Sequence, residues 1–188
     1  MADFMEAGRY YTYGEYLKFP QDVRCEIIDG EVFMMSAPTD WHQAMLVELC
    51  GQLRDFFKGK ECRVRVAPYD VRLFPKSDDS DSVVVQPDLM VICDRSKRED
   101  GRACKGTPDF IIEILSASTR SHDLLRKRSL YERAGVKEYW AVGTDAVFIY
   151  TLVDGVYVET IHAIPAEPVD IPVGLFDGCV LRFDPDLD

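Results

Sequence analysis

Apolar residues fall in short runs separated by turn residues, and two stretches of helical spacing lie between those runs. Thr12 and Glu15, three residues apart, form a capping box that predicts a short helix from Tyr13 to about Phe19, closed by Pro20. β-favouring residues flank Asp29-Gly30 within Cys25 to Met35, the two-residue signal of a hairpin. From Trp41 to Phe57, Leu46, Leu49, Cys50, Leu53, Phe56 and Phe57 recur at steps of three and four, as one face of a long helix. Strands are predicted at Cys62 to Val66, Tyr69 to Phe74 and Val83 to Ile92, the last interrupted by Pro87. Phe110 to Leu115 is almost continuously apolar, the pattern of a strand covered on both faces, and it is the natural centre of a sheet. Ser121 to Ala134 reads as a second helix stopped by Gly135, followed at once by a strand over Glu138 to Val142. Ala146 to Glu159 makes a second hairpin that turns at Asp154-Gly155. The polar stretches 75–82 and 94–105 read as loops, and the tail reads as loop with one strand near Val180 to Phe183.

The alternation of strands and helices predicts an α/β (α+β) fold, a mixed central sheet of about five or more strands flanked by helices. With 188 residues, 47% hydrophobic, the chain is the size of a single domain spanning 1–188 and can bury a core. It contains no apolar run of the ~20 residues that cross a membrane, and Met1 to Arg9 lacks the pattern of a secretory signal. These features predict a cytoplasmic protein without a membrane partner. The six cysteines form no C-x-x-C pair and no cluster with histidine, which predicts mostly buried thiols, without a zinc ribbon or a disulfide framework. A net charge of -11 argues against dense non-specific nucleic-acid binding, although a local basic cleft is compatible with it.

Two carboxylates stand where a core is expected. Glu113 lies inside Phe-Ile-Ile-Glu-Ile-Leu, where an unpaired charge would cost several kcal/mol to desolvate. A salt bridge would answer that cost; so would a role as metal ligand or acid/base group in a cleft, which is the stronger reading. Asp88 follows Pro87 in a second apolar run, 113 − 88 = 25 residues earlier, enough chain for the two acids to meet across neighbouring strands. A pair of carboxylates suits Mg2+, with Mn2+ as a substitute; the ion keeps several waters and can activate one for phosphodiester hydrolysis. Taken alone, Pro87-Asp88 is equally an ordinary turn.

Lys127 lies on the predicted second helix, where Asp123, Lys127 and Tyr131 recur every four residues along one face. An Asp123–Lys127 surface ion pair is the plain structural alternative. Glu26, in Cys-Glu-Ile-Ile, faces either the site or solvent by alternation alone. Arg120, His122, Arg126, Lys127, Arg128 and Arg133 form the densest basic cluster, fit either for phosphate contact or for a solvated helix face. His42, at the head of the long helix, is a further candidate for contact with a substrate phosphate.

The ordered set Glu26-Ile-Ile-Asp-Gly-Glu31, Pro38 to His42, Pro87-Asp88, Pro108 to Ser116, Ser118-Thr119, Asp123, Lys127, Tyr131 and Gly135 to Trp140 resembles the Uma-two family of restriction-endonuclease-like proteins. That family lies within the PD-(D/E)XK nuclease superfamily, and the likeness runs from about Tyr13 to Val158. The resemblance implies a restriction-endonuclease-like core over about 13–158 with a C-terminal extension over 159–188. It makes Asp88 and Glu113 the motif acids, with the Ile114 carbonyl as a further metal ligand. Leu115 occupies the place of the usual lysine, and a lysine from the adjoining helix, here Lys127, takes over its role. Glu26 becomes the additional acidic residue; His42, Arg120, Arg126 and Arg128, read above from their positions and charge, are the candidate nucleic-acid contacts for such an activity. The implied activity is Mg2+-dependent hydrolysis of nucleic acid, DNA in the first instance; cutting two strands is easier with two sites and symmetric pairs are common, which predicts a homodimer. The alternative is a catalytically inactive nuclease-fold module that binds nucleic acid or another partner.

Overall fold

The computed structural model describes residues 6, 8–98, 101–116 and 122–184, excepting the side chains of 122 and 123. In chain order the elements are α1 (Tyr13–Tyr16), β1 (Cys25–Ile28), β2 (Glu31–Met34), α2 (Asp40–Phe56), β3 (Arg63–Val66), β4 (Asp70–Arg72), β5 (Val84–Val85) and β6 (Leu89–Ile92). They continue with β7 (Ala103–Lys105), β8 (Phe110–Ile114), α3 (Arg128–Ala134), β9 (Glu138–Val142), β10 (Ala146–Val153), β11 (Val156–Ala163), β12 (Val169–Pro172) and β13 (Val180–Phe183).

A six-stranded sheet in the order β11-β10-β9-β8-β6-β3 forms the centre, and a five-stranded sheet in the order β2-β1-β5-β4-β7 forms a second layer. β8 is an interior strand of the first sheet, as its apolar run predicts. β8 and β9 run parallel, with α3 in the crossover between them, whereas β6 is antiparallel to β8.

Residues on opposite faces of β8 serve two cores. Phe110, Ile112 and Ile114 join Met45, Leu49 and Leu53 of α2, together with the β12–β13 hairpin. Ile111 and Leu115 pack on the other side with Ile28, Leu130 and Tyr131. By this alternation Glu113 shares the face of Ile111 and Leu115, directed toward the second sheet and α3. The α2 seam follows from its three-and-four spacing, and Thr39 caps its start by accepting the His42 N–H.

Both predicted hairpins form. Asp29 and Gly30 both take positive φ (51° and 82°), the paired left-handed conformation that a tight two-residue turn demands. A side chain at Gly30 would also collide with the ring of Tyr10.

Several expectations need correction. The run from Val83 to Ile92 is two strands in different sheets, because Pro87 cannot donate to a ladder and the chain crosses between layers there. The predicted helix over 121–134 is π-helical from His122 to Lys127 and α-helical only from Arg128, while its end at Gly135 is as expected. The stretch read as loop over 94–105 carries a 3-10 turn at Arg95–Arg98 and the strand β7. β12 was not expected; it pairs with the predicted terminal strand β13. Cys62 and Cys93 form a disulfide, since the register that sets Arg63 opposite Ile92 brings their backbones together across 31 residues of sequence. Cys25, Cys104 and Cys179 are buried thiols as predicted, and burial raises the Cys104 thiol to about 12. No helix among the described residues is long and apolar enough to cross a membrane.

Candidate active site

The register of β6 against β8 places Leu89 opposite Ile112, so one step further brings Asp88 beside Glu113. Pro87 breaks the strand immediately before Asp88, which frees the acid at the mouth of the sheet instead of committing it to a ladder. The Asp88 N–H donates to Glu113 Oε2 at 3.3 Å. Asp88 Oδ2 accepts the Ile114 N–H at 2.8 Å and lies 3.1 Å from His42 Nε2. Those contacts fix Asp88 from β8 and from the first turn of α2.

Glu113 is held from the other side. Its Oε1 accepts from Lys127 Nζ at 2.9 Å and from the Tyr131 hydroxyl at 2.6 Å. Lys127 and Tyr131 therefore share the helix face that their spacing predicts. Lys127 Nζ also lies 3.0 Å from Glu26 Oε1, which accepts the Gln86 N–H at 2.8 Å. Glu26, Glu113 and Lys127 are buried, and Asp88 is half-buried. Lys127 is thus a buried bridge between two acids, whereas the side chain of Asp123, its partner in the surface ion-pair alternative, lies outside the described residues. Tyr131 is fully buried, and burial first, then the charges of Glu113 and Glu26, raise its phenol well above the ordinary value. It stays a hydrogen-bond donor to Glu113 through the neutral range.

These groups line one cavity of about 520 Å³. The chemistry is hard and oxygen-rich: among the described lining residues three carboxylates (Glu26, Asp88, Glu113) stand against Lys127 and the exposed Arg24, a formal excess of one negative charge. Among the described residues no three His, Cys, Asp or Glu side chains form a complete metal cage. An oxygen site of few protein ligands and uncompensated negative charge fits Mg2+, which keeps most of its waters.

The sequence candidates therefore separate. Asp88, Glu113, Ile114, Lys127, Glu26 and His42 line the cavity together. Arg126 and Arg128 are not among its lining residues: Arg126 pairs with Glu31 at 2.9 Å, and Arg128 lies over the ring of Tyr150. Arg120 falls outside the described residues. Leu115, in the place of the motif lysine, is buried in the core beside Tyr131.

Residues 13–178 match a family model whose description reads "Uma2: Putative restriction endonuclease". The chain belongs to the Uma2 family. The Uma2 match runs 178 − 158 = 20 residues past Val158, so it takes in β12 as well as the earlier motifs. A crystal structure from Anabaena variabilis ATCC 29413, described as "a putative nuclease belonging to DUF820", shares 21% identity with this Uma2 chain. It superposes with a TM-score of 0.67, covering 86% of this chain and 89% of that one, which shows a common fold. No curated protein matches.

Sequence reasoning passed over two groups. Tyr131 was visible only as part of a stripe, although its i+4 spacing from Lys127 was the signal. Glu138 carries the same signature as Glu113, an acid within an apolar run, in Glu-Tyr-Trp-Ala-Val. It is buried and accepts from Trp140 Nε1 at 2.6 Å and from the Leu175 N–H at 2.7 Å. Its place is structural, tying β9 to the C-terminal hairpin.

Proposed function

We propose that the protein hydrolyses phosphodiester bonds of nucleic acid, DNA in the first instance, using a divalent cation. The observation that carries this reading is the meeting of Asp88 and Glu113 through the 3.3 Å contact of the Asp88 N–H with Glu113 Oε2, beside Lys127. Asp88, Glu113 and the Ile114 carbonyl would hold Mg2+ or Mn2+. Such an ion supplies a lowered pKa for bound water and charge neutralisation at the phosphoryl oxygens.

The protein's own residues do the rest. His42 and the Ile114 N–H fix one oxygen of Asp88, and Tyr131 fixes Glu113, so neither acid has to reorganise when charge develops. Lys127 supplies the ammonium that Leu115 cannot; Nζ stands where it can orient water or stabilise negative charge on the phosphoryl group. In the reaction a water oxygen bonds to phosphorus and gives up one proton, the P–O bond to the leaving oxygen breaks, and that oxygen takes up a proton. All these groups come from a single chain.

The test uses supercoiled plasmid and single-stranded circular DNA with magnesium, manganese or chelator. Cleavage of either substrate in the metals and none in chelator is expected, and Asp88→Asn or Glu113→Gln protein that is folded by circular dichroism loses it. Absence of cleavage with clean wild-type protein in both metals contradicts the proposal. The burial of Leu115 at the motif-lysine position favours a second reading, a binding module without turnover. DNA binding without cleavage in that assay selects it.

A further inference from the structure

The walls of the cavity differ from its floor. Around the carboxylates stand Phe33, Met34, Met35, Pro38 and Leu46, an apolar rim built from the end of β2, the following loop and α2. Met34 is 55% exposed, and Phe33 is half-buried with the Arg126 guanidinium 4.4 Å from its ring centre. Arg24, exposed, and Lys127 are the lysine and arginine side chains among the described lining residues, and Lys127 already bridges Glu26 and Glu113.

Among the described residues that lining is not a track for a duplex backbone, where affinity comes from a row of cations that neutralise phosphates. It resembles a stacking platform, on which aromatic and apolar side chains take the flat faces of unpaired bases. The size agrees. A cavity of about 520 Å³ is of the scale that holds one small organic ligand and is too confined for a base-paired helix. Because the floor acids Glu26 and Glu113 are buried, a phosphate must descend between the walls to reach them. A paired, stacked nucleotide must first be unpaired and extruded, whereas a nucleotide of a single strand is already free to enter.

From these features we infer that the substrate is single-stranded nucleic acid, with the base next to the scissile phosphate seated against Phe33, Met34 and Leu46. The inference rests on the nuclease reading only for the position of the scissile phosphate; the seat for the base stands on the walls themselves.

Fluorescence anisotropy tests it with wild-type protein in calcium. The probes are a labelled oligothymidylate of about twelve nucleotides, within the usual site size of single-strand binders, and a blunt hairpin duplex of matching length. The single strand is expected to bind at least about tenfold tighter than the duplex. Phe33→Ala and Met34→Ala are each expected to weaken single-strand binding about fivefold or more and to leave duplex binding unchanged. Met34→Ala guards against a folding artefact, since that side chain is more than half exposed. Equal or tighter duplex binding, no measurable single-strand binding, or no effect of either variant overturns the inference. Cleavage of the same probes in magnesium and manganese is scored separately. A duplex bound and cut as well as the single strand removes this inference and leaves the nuclease reading intact; single-strand binding without cleavage does the reverse.

Discussion

Replacing Lys127 with methionine keeps the length of the side chain and removes its charge. In the native protein the ammonium lies 2.9 Å from Glu113 and 3.0 Å from Glu26, with 5% of its side chain exposed. At an effective dielectric constant of about 20, a contact of about 3 Å corresponds to roughly 5–6 kcal/mol of Coulomb energy before desolvation is subtracted. Removing one partner of a buried pair typically costs about 3–5 kcal/mol, because the remaining charge stays buried without compensation. Here two acids are left facing each other, so the upper half of that range is expected. For a chain of this size, about 2–4 °C per kcal/mol gives a melting temperature lower by roughly 8–20 °C. Circular dichroism melts with and without magnesium measure it. The variant should gain more from magnesium than wild type, since a cation that binds only the folded state stabilises it by mass action. Cleavage measured well below the variant's melting temperature should fall by about 10²–10³-fold, the usual effect of deleting a group that stabilises developing charge. A melting temperature within about 2 °C of wild type, less than the equivalent of 1 kcal/mol, would refute the buried-bridge reasoning.

Other perturbations follow from the same contacts. Tyr131→Phe removes the 2.6 Å bond to Glu113 and should cost about 1.5–3 kcal/mol in urea unfolding, as for hydrogen bonds to charged groups. Burial raises the phenols of Tyr131, Tyr150 and Tyr157 above their unfolded value of 10.0, so their stabilisation is full below that pH and is lost as pH rises toward the folded values. Unfolding free energy should therefore decline above about pH 10, and Tyr131→Phe should flatten the decline by about 1.4 kcal/mol per pH unit. Desolvation raises the Glu138 carboxyl above its ordinary 4.5, so its contribution is full below that value and is lost as pH rises through the folded one. Glu138→Gln should accordingly remove part of the fall in stability that sets in above the ordinary value of 4.5; an unchanged pH profile would contradict this. Breaking the disulfide by Cys62→Ser with Cys93→Ser reopens a 31-residue loop and should cost about 3–4 kcal/mol, read from the shift in urea midpoint.

Much of this was legible in the chain because burial leaves marks on local sequence. Glu113 stood out since charge inside a continuous apolar run must be answered by a partner, and β8 supplies that answer through Lys127 and Tyr131. Asp88 was visible through its proline, which breaks the ladder and releases the acid. Less legible was anything that depends on which strands become neighbours. The sequence around Pro87 shows a break but not a change of sheet, and the separation of 31 positions from Cys62 to Cys93 conceals a cross-strand pair. Glu138 carried the same mark as Glu113, yet its partners, Gly174 and Leu175, come from a tail whose β12 strand has no strong local pattern. The π-helical turn before Lys127 was illegible for a different reason: its spacing differs from an α-helix by a fraction of a residue per turn, and the residues suit either geometry.

The central claim, that Asp88 and Glu113 jointly hold a divalent cation, is tested most directly by anomalous diffraction from a manganese-soaked crystal. A single peak is predicted in the cavity at about 2.1–2.2 Å, an octahedral metal–oxygen distance, from one oxygen each of Asp88 and Glu113. The account is contradicted if the cavity shows no peak while manganese binds elsewhere on the chain, or if the ion is held without either acid.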